Sequence, residues 1–301
     1  MKFYKRHDYP IEKPVLNTLF IIILSVLALL TVPNLYGQGL NWEGQTGAFI
    51  TPFAYTSQSE KNKVGRPQVA FHYLNTGEVI GNSFQASVTV GMFNRAEVGY
   101  TRTFKTDGNT AGLSPLFKGG FNTFHGKVNL VPENSGKKNW VPAISVGFVA
   151  RTQVERVGGV INNQSTNNGD VYVVATKTIT SIKKLPILLN AGYKATNASV
   201  FGIAGNSPDW QGRAFGAAAF VVSAGKGALI FGSEFAQQPK RTDGLPNASI
   251  PTTLTYFVRI VPNGKVPFNI DFGIAQAAGK IQPGVDLKAR QQFAMGMSYR
   301  F

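Results

Sequence analysis

The last nine residues of the chain form an alternating segment that constrains the fold more than any other stretch. Every second residue from position 293 to position 301 is large and apolar, and the residues between are small or polar. Because side chains of a β-strand point alternately to opposite faces, this spacing predicts a strand with one apolar face that must be buried. The apolar residues are Phe293, Met295, Met297, Tyr299 and Phe301, and the others are Ala294, Gly296, Ser298 and Arg300.

This strand also ends the sequence on an aromatic residue. The ending resembles the C-terminal signal by which bacterial outer-membrane barrels are recognised for insertion, with Phe293, Tyr299 and Phe301 in the pattern. The resemblance implies that these residues are an assembly signal read by the barrel assembly machinery of a Gram-negative cell. It covers the last strand only.

Similar alternating segments recur through the chain, which is rich in glycine and aromatic residues. Both residue types suit strands and tight turns better than helices. Counting backward from Phe301 predicts twelve strands, with ten or fourteen as the open alternatives. The predicted strands lie near 67 to 74, 84 to 92, 95 to 104, 122 to 131, 142 to 151, 171 to 181, 186 to 196, 213 to 222, 228 to 238, 252 to 261, 267 to 276 and 291 to 301.

The connections between these strands separate a membrane barrel from a soluble sandwich, since both hide one face of each strand. Short turns, such as those at 93–94 and 224–227, alternate with longer polar loops, such as 105–120, 152–170, 197–212 and, last in the chain, 277–290. This alternation is typical of outer-membrane barrels, which have short periplasmic turns and long extracellular loops. The sequence therefore predicts an all-β fold: a transmembrane antiparallel up-and-down β-barrel over residues 67–301.

The N-terminal region predicts export. Four basic residues precede an apolar run from Leu19 to Leu30, and Gly37 is a small residue suited to cleavage. We expect a signal peptide over residues 1–37 and a mature start near Gln38; an uncleaved membrane anchor is the alternative. Residues 38–66 hold Pro52, which disfavours an additional strand in a closed barrel. We expect this segment to lie in the periplasm or to line the lumen.

Three short motifs resemble a family of predicted outer-membrane proteins of unassigned function. They are Asn41-Trp42-Glu43-Gly44-Gln45-Thr46-Gly47, Phe71-His72-Tyr73-Leu74-Asn75 and Val98-Gly99-Tyr100-Thr101. The resemblance implies the fold and a location in the outer membrane, and it implies no activity.

The sequence offers little for catalysis. It contains no cysteine, which excludes thiolate metal sites and cysteine nucleophiles. His72 and His125 fall on polar strand faces without a second ligand at a metal-binding spacing, so ordinary lumen residues are the better interpretation. We predict no enzyme, no metal and no cofactor. The formal net charge of +15 suits a surface facing anionic lipopolysaccharide and membrane lipid, and a membrane-patterned barrel makes nucleic-acid binding improbable.

The charged residues on the predicted inward faces carry the functional hypothesis. Basic residues exceed acidic ones by two, which favours a narrow passive channel with a weak preference for small anionic solutes. If the charges instead pair across the lumen, the barrel is a non-conducting structural, adhesive or surface-assembly protein. The predicted lumen and selectivity residues are Lys127, Arg151, Lys194, Arg259 and Arg300, opposed by Glu97, Glu234 and Asp271.

Overall fold

A computed structural model shows an almost entirely β protein. It describes residues 39–105, 108–110, 119–154, 165–181, 185–240, 250–262, 267–276, 278–282, 285–290 and 292–301. The predicted signal peptide lies outside the described residues. The strands are β1 (Gln68–Asn75), β2 (Asn82–Met92), β3 (Ala96–Lys105), β4 (Gly119–Val131), β5 (Ala143–Thr152), β6 (Asn168–Ile179), β7 (Ile187–Ala198), β8 (Asn206–Ala224), β9 (Gly227–Ala236), β10 (Thr253–Val261), β11 (Phe268–Gln276), β12 (Ala278–Gln282), β13 (Val285–Ala289) and β14 (Gln292–Arg300).

Twelve of these strands close into one antiparallel barrel, which confirms the predicted fold and strand count. Each strand pairs with its neighbours in the chain, except that β11 pairs with β14 and β14 closes the barrel against β1. In the closing pair Gln68 lies opposite Arg300 and Leu74 lies opposite Ala294. The strands β12 and β13 form a separate hairpin inside the stretch predicted as the last long loop.

The two ends of the barrel differ in their connections. We call the end with the connections at 93–95 and 225–226 the turn end, and the opposite end the loop end. The four-residue helix α1 (Gly77–Ile80) and the β12–β13 hairpin belong to the loop end. One predicted loop, 197–212, is mostly strand, because β8 begins at Asn206 and leaves only 199–205 as the connection.

The outer surface of the barrel is apolar on every strand. Large apolar residues on all twelve strands are more than a third exposed, whereas their sequence neighbours point inward and are mostly buried. Such a belt suits lipid and not water. No helix among the described residues is long and apolar enough to cross a membrane. One outward residue from each strand is Phe71, Val88, Val98, Phe124, Val146, Val171, Leu189, Phe220, Phe231, Tyr256, Phe272 and Phe293.

The inside of the barrel is filled by the N-terminal segment. Residues 39–57, which we call the plug, fold within the lumen, and Leu40, Ala48 and Ala54 are fully buried there. The plug turns back on itself, with bridges between Leu40 and Thr46 and between Gly47 and Pro52. It leaves the lumen at the turn end, where the backbone N–H of Asn94 donates to the Ser59 hydroxyl.

Candidate functional site: the plugged lumen

The wall of the lumen is polar because the inward positions of the strands carry hydroxyl, amide and charged side chains. These include Thr89, Thr101, Ser145, Thr176 and Asn190, all of them buried. A buried polar group is costly without a hydrogen-bond partner. The plug supplies partners for many of them, mostly from its backbone.

A buried ion pair anchors the middle of the plug near the turn end. The Lys127 ammonium lies 2.9 Å from a Glu97 carboxylate oxygen, and both side chains are fully buried. Lys127 also donates to the carbonyls of Thr46 and Phe53, each at 2.9 Å. The Glu97 carboxylate accepts from the backbone N–H and hydroxyl of Thr46 and from the N–H of Ser57. The pair therefore bonds to the plug through both of its charges.

A second charged cluster lies nearer the loop end. The Arg151 guanidinium contacts Glu43 of the plug at 2.5 Å and Asp170 of the wall at 2.9 Å. Lys194 lies 3.3 Å from the same Asp170 oxygen. Two cations and two carboxylates thus meet in one buried group. Asp170 and Glu43 were absent from the predicted set, Asp170 because the apolar run from Val171 to Ala175 obscures the register of β6.

A third anchor joins the plug to the wall through Arg259. Its guanidinium forms a two-point contact with the Asp271 carboxylate, at 2.7 and 2.9 Å. Its Nη1 donates to the plug carbonyl of Gly47 at 2.9 Å, and its Nη2, which also bonds to Asp271, donates to the plug carbonyl of Ala48 at 3.1 Å. A planar guanidinium suits this arrangement, since it presents several donors in a fixed fork.

The fourth anchor is a carboxylate held by plug N–H groups. Glu234 accepts from the backbone N–H groups of Phe49, Ile50 and Thr51, at 2.8 to 3.1 Å, and from the Thr51 hydroxyl at 2.7 Å. No cation is within salt-bridge distance of it in the described part of the chain. Backbone N–H groups and one hydroxyl of the plug are therefore its hydrogen-bond partners.

Two buried histidines and two residues of the turn end complete the description of the lumen. His72 lies against the plug, with its Nε2 3.1 Å from the Leu40 carbonyl, and His125 is buried beside Thr89. No group of potential metal ligands occurs among the described residues. Arg300 ends β14 at the turn end and is half-buried. At the same end burial raises the pKa of Tyr55, whose hydroxyl donates to Glu133 at 2.8 Å.

A short connection closes the loop end above the plug. Residues 199–205, which we call the cap, fold into the mouth of the barrel, and Val200, Phe201, Ile203 and Ala204 are buried. The Val200 N–H donates to the Gln238 side chain at 2.9 Å. Between the cap, the plug and the wall lies a cavity of about 20 Å³, room for about one water molecule. Plug and cap together therefore occupy much of the described lumen.

Comparison with known proteins gives a family and several barrels of the same general kind. The KdgM porin is 10% identical at a TM-score of 0.44, covering 78% of this chain and 99% of its own. The COG4313 outer membrane channel from Pseudomonas putida F1 is 10% identical at a TM-score of 0.48, covering 83% and 98%. The NanC porin is 8% identical at a TM-score of 0.44, covering 78% and 100%. No curated protein matches the sequence. Residues 38–273 match a family described as "Protein of unknown function (DUF3034)", and the chain belongs to that family.

Proposed function

We propose that this protein is an outer-membrane channel that its own plug keeps closed at rest, and that it passes small solutes once the plug leaves the lumen. The observation that carries this proposal is how the wall holds the plug. Lys127, Arg259 and Glu234 bind mainly its backbone, and each can bond to water or to a polar solute instead. A polar wall of this kind remains compatible with water after the plug has gone.

In this proposal the closed form is the resting form because the plug buries large aromatic side chains. Trp42, Phe49 and Phe53 are almost completely buried within the barrel. Release of the plug exposes these aromatic side chains, and each large apolar side chain moved into water costs roughly 1.5 to 3 kcal/mol. Opening therefore needs a perturbation of the anchors or a ligand that favours the open form.

The preference for anions that we propose is weak. With the plug removed, the buried wall cations Lys127, Arg151, Lys194 and Arg259 face the same number of carboxylates, from Glu97, Asp170, Glu234 and Asp271. Asp170 offsets one of the two excess positive charges expected from the sequence. Arg300 at the turn end supplies the other and adds to the anion preference that we propose.

We also propose partners for the protein, namely lipid, lipopolysaccharide, the barrel assembly machinery and a solute. The apolar belt contacts membrane lipid, and exposed basic residues of the loop end, such as Lys240, face lipopolysaccharide. A cleaved leader over residues 1–37 and the barrel assembly machinery bring the chain to the membrane. A small anionic solute is the proposed cargo. Neither a cofactor nor a catalytic role forms part of the proposal.

Conductance in a planar bilayer tests the channel. We expect rare openings of the wild-type protein and far more frequent openings of Glu234→Gln, because an amide replaces one acceptor of the plug N–H groups by a donor. Glu78→Gln is the matched control, since it makes the same change in an exposed side chain whose ion pair is with Lys288 and not with the plug. In a salt gradient, Arg300→Gln should reduce the anion preference.

The second candidate function is a non-conducting structural or surface-assembly barrel. It is favoured by the burial of the plug and the cap inside the barrel, with the buried charges paired or hydrogen-bonded. Folded Glu234→Gln protein that carries no current in any bilayer would contradict the channel and leave this account in its place.

A further inference from the structure

The cap has an unusual backbone. It closes on itself, with the Gly202 N–H bonded to the Ser199 carbonyl at 3.0 Å and the Ser199 N–H bonded to the Gly205 carbonyl at 2.9 Å. The central residues Val200 and Phe201 have φ values of 48° and 55°. This left-handed conformation suits Asn and Gly, and it is strained for a β-branched or bulky residue. Such strain persists only where the surroundings impose it.

Packing of the Phe201 side chain imposes this left-handed backbone conformation. Phe201 is 93% buried and borders the small cavity that is also lined by residues of the plug and the wall. The Lys194 ammonium lies 5.1 Å from the ring centroid, at a distance suited to a cation–π contact. Tyr172, Phe215 and Val149 line the same pocket. The strained backbone of the cap therefore places the Phe201 ring beside this cavity and over Lys194.

Two residues that border the cavity carry buried polar groups without a hydrogen-bond partner. Among the described residues, the Gln45 Nε2 amide and the Tyr172 hydroxyl are buried without a hydrogen-bond partner, and both residues line the pocket. The space left beside Phe201 is about 20 Å³, which is enough for one water-sized group. An aromatic ring carrying one hydroxyl fits this combination of ring site, small cavity and unpaired polar groups.

We propose that the pocket beneath the cap binds a small hydroxylated aromatic solute, whose ring takes the place of the Phe201 side chain. The inference rests on the proposed channel and goes beyond it by naming a neutral ligand of the capped pocket, separate from the small anionic cargo. Phenol has the ring of the phenylalanine side chain and adds one oxygen. Its ring would lie on Lys194, its hydroxyl would occupy the remaining cavity, and the displaced cap would lose its backbone strain.

Binding of phenol to the folded, detergent-solubilised protein tests the proposal, with cyclohexanol as the matched non-aromatic probe. We expect calorimetry to detect phenol and to show weaker binding of cyclohexanol, which has a hydroxyl but no π-face. Phe201→Ala removes the competing ring and should tighten phenol binding about tenfold, because the pocket is then vacant before the ligand arrives. Ile203→Ala is the control, since it trims the same cap and leaves Phe201 in place.

Lys194→Met provides a second readout. It should weaken phenol binding and leave cyclohexanol binding unchanged, in protein shown to be folded by its heat-modifiable mobility. Equal binding of the two probes, or no gain from Phe201→Ala over Ile203→Ala, would overturn the inference. The outcomes are separable from those of the bilayer experiment, because binding is measured without conduction. Conductance without phenol binding would contradict this inference alone. Phenol binding without conductance would contradict the channel alone.

Discussion

Replacing Lys127 by methionine tests whether the buried anchors hold the plug. Methionine has a similar length without the charge, so the Glu97 carboxylate would lose its cation and the carbonyls of Thr46 and Phe53 would lose their donor. Both side chains of the pair are fully buried, so solvent screening does not reduce the effect. Breaking a buried pair by removing one partner costs about 3 to 5 kcal/mol. That loss corresponds to a shift of at least about a hundredfold in the folding equilibrium.

The assay is urea unfolding of the protein in lipid vesicles. Val128→Met is the control, because it places the same side chain one position further along β4, on the lipid-facing side. We expect it to change the free energy of unfolding by less than about 1 kcal/mol. Adding Glu97→Gln to Lys127→Met should restore part of the loss, since no unpaired charge then remains. The reasoning fails if Lys127→Met is no more destabilising than Val128→Met, or if the double variant is less stable than the single one.

Two further predictions concern the barrel surface and its closure. Val88→Arg should destabilise the inserted barrel by roughly 2 to 4 kcal/mol, because Val88 faces lipid near the middle of β2. The control Val88→Leu should be nearly neutral. Equal stability of the two variants in vesicle unfolding would place Val88 away from lipid. Deleting Phe301 should lower the yield of heat-modifiable barrel far more than Arg300→Gln does, because the Phe301 N–H bonds to the Pro67 carbonyl at the closing seam and its ring packs on Tyr299; equal yields would mean that the terminus is not an assembly signal.

The barrel could be predicted from the sequence because its strands follow a simple rule. Most inward positions are polar or small and most outward positions are apolar, so strands such as β2 and β14 are visible in the alternation alone. The β12–β13 hairpin was not predicted, because it lies outside the barrel and its strands have only five residues each. The start of β8 was also missed, since Pro208 and Asp209 are typical of loops.

The contents of the lumen could be predicted only in part. The sequence identified the inward charges but not their partners, because Glu97 and Thr46, or Arg259 and Gly47, are far apart in the chain. The plug has no regular period that would signal its position, since it is neither helix nor strand over most of its length. The cap lacks the Asn-Gly signal of its turn type, because packing of Phe201 imposes the backbone conformation.

The way in which the wall holds the plug has a consequence for sequence divergence. Lys127, Arg259 and Asn129 donate to plug carbonyls, and Glu234 accepts mainly from plug N–H groups, so most of these contacts are with atoms that every residue possesses. Side chains of the plug can therefore drift among relatives within the limits of volume, while the wall residues that bind its backbone cannot change type without losing a partner. In other members of the family, we expect the wall residues that bind the plug backbone to be a better sign of a plug than the sequence of the plug itself.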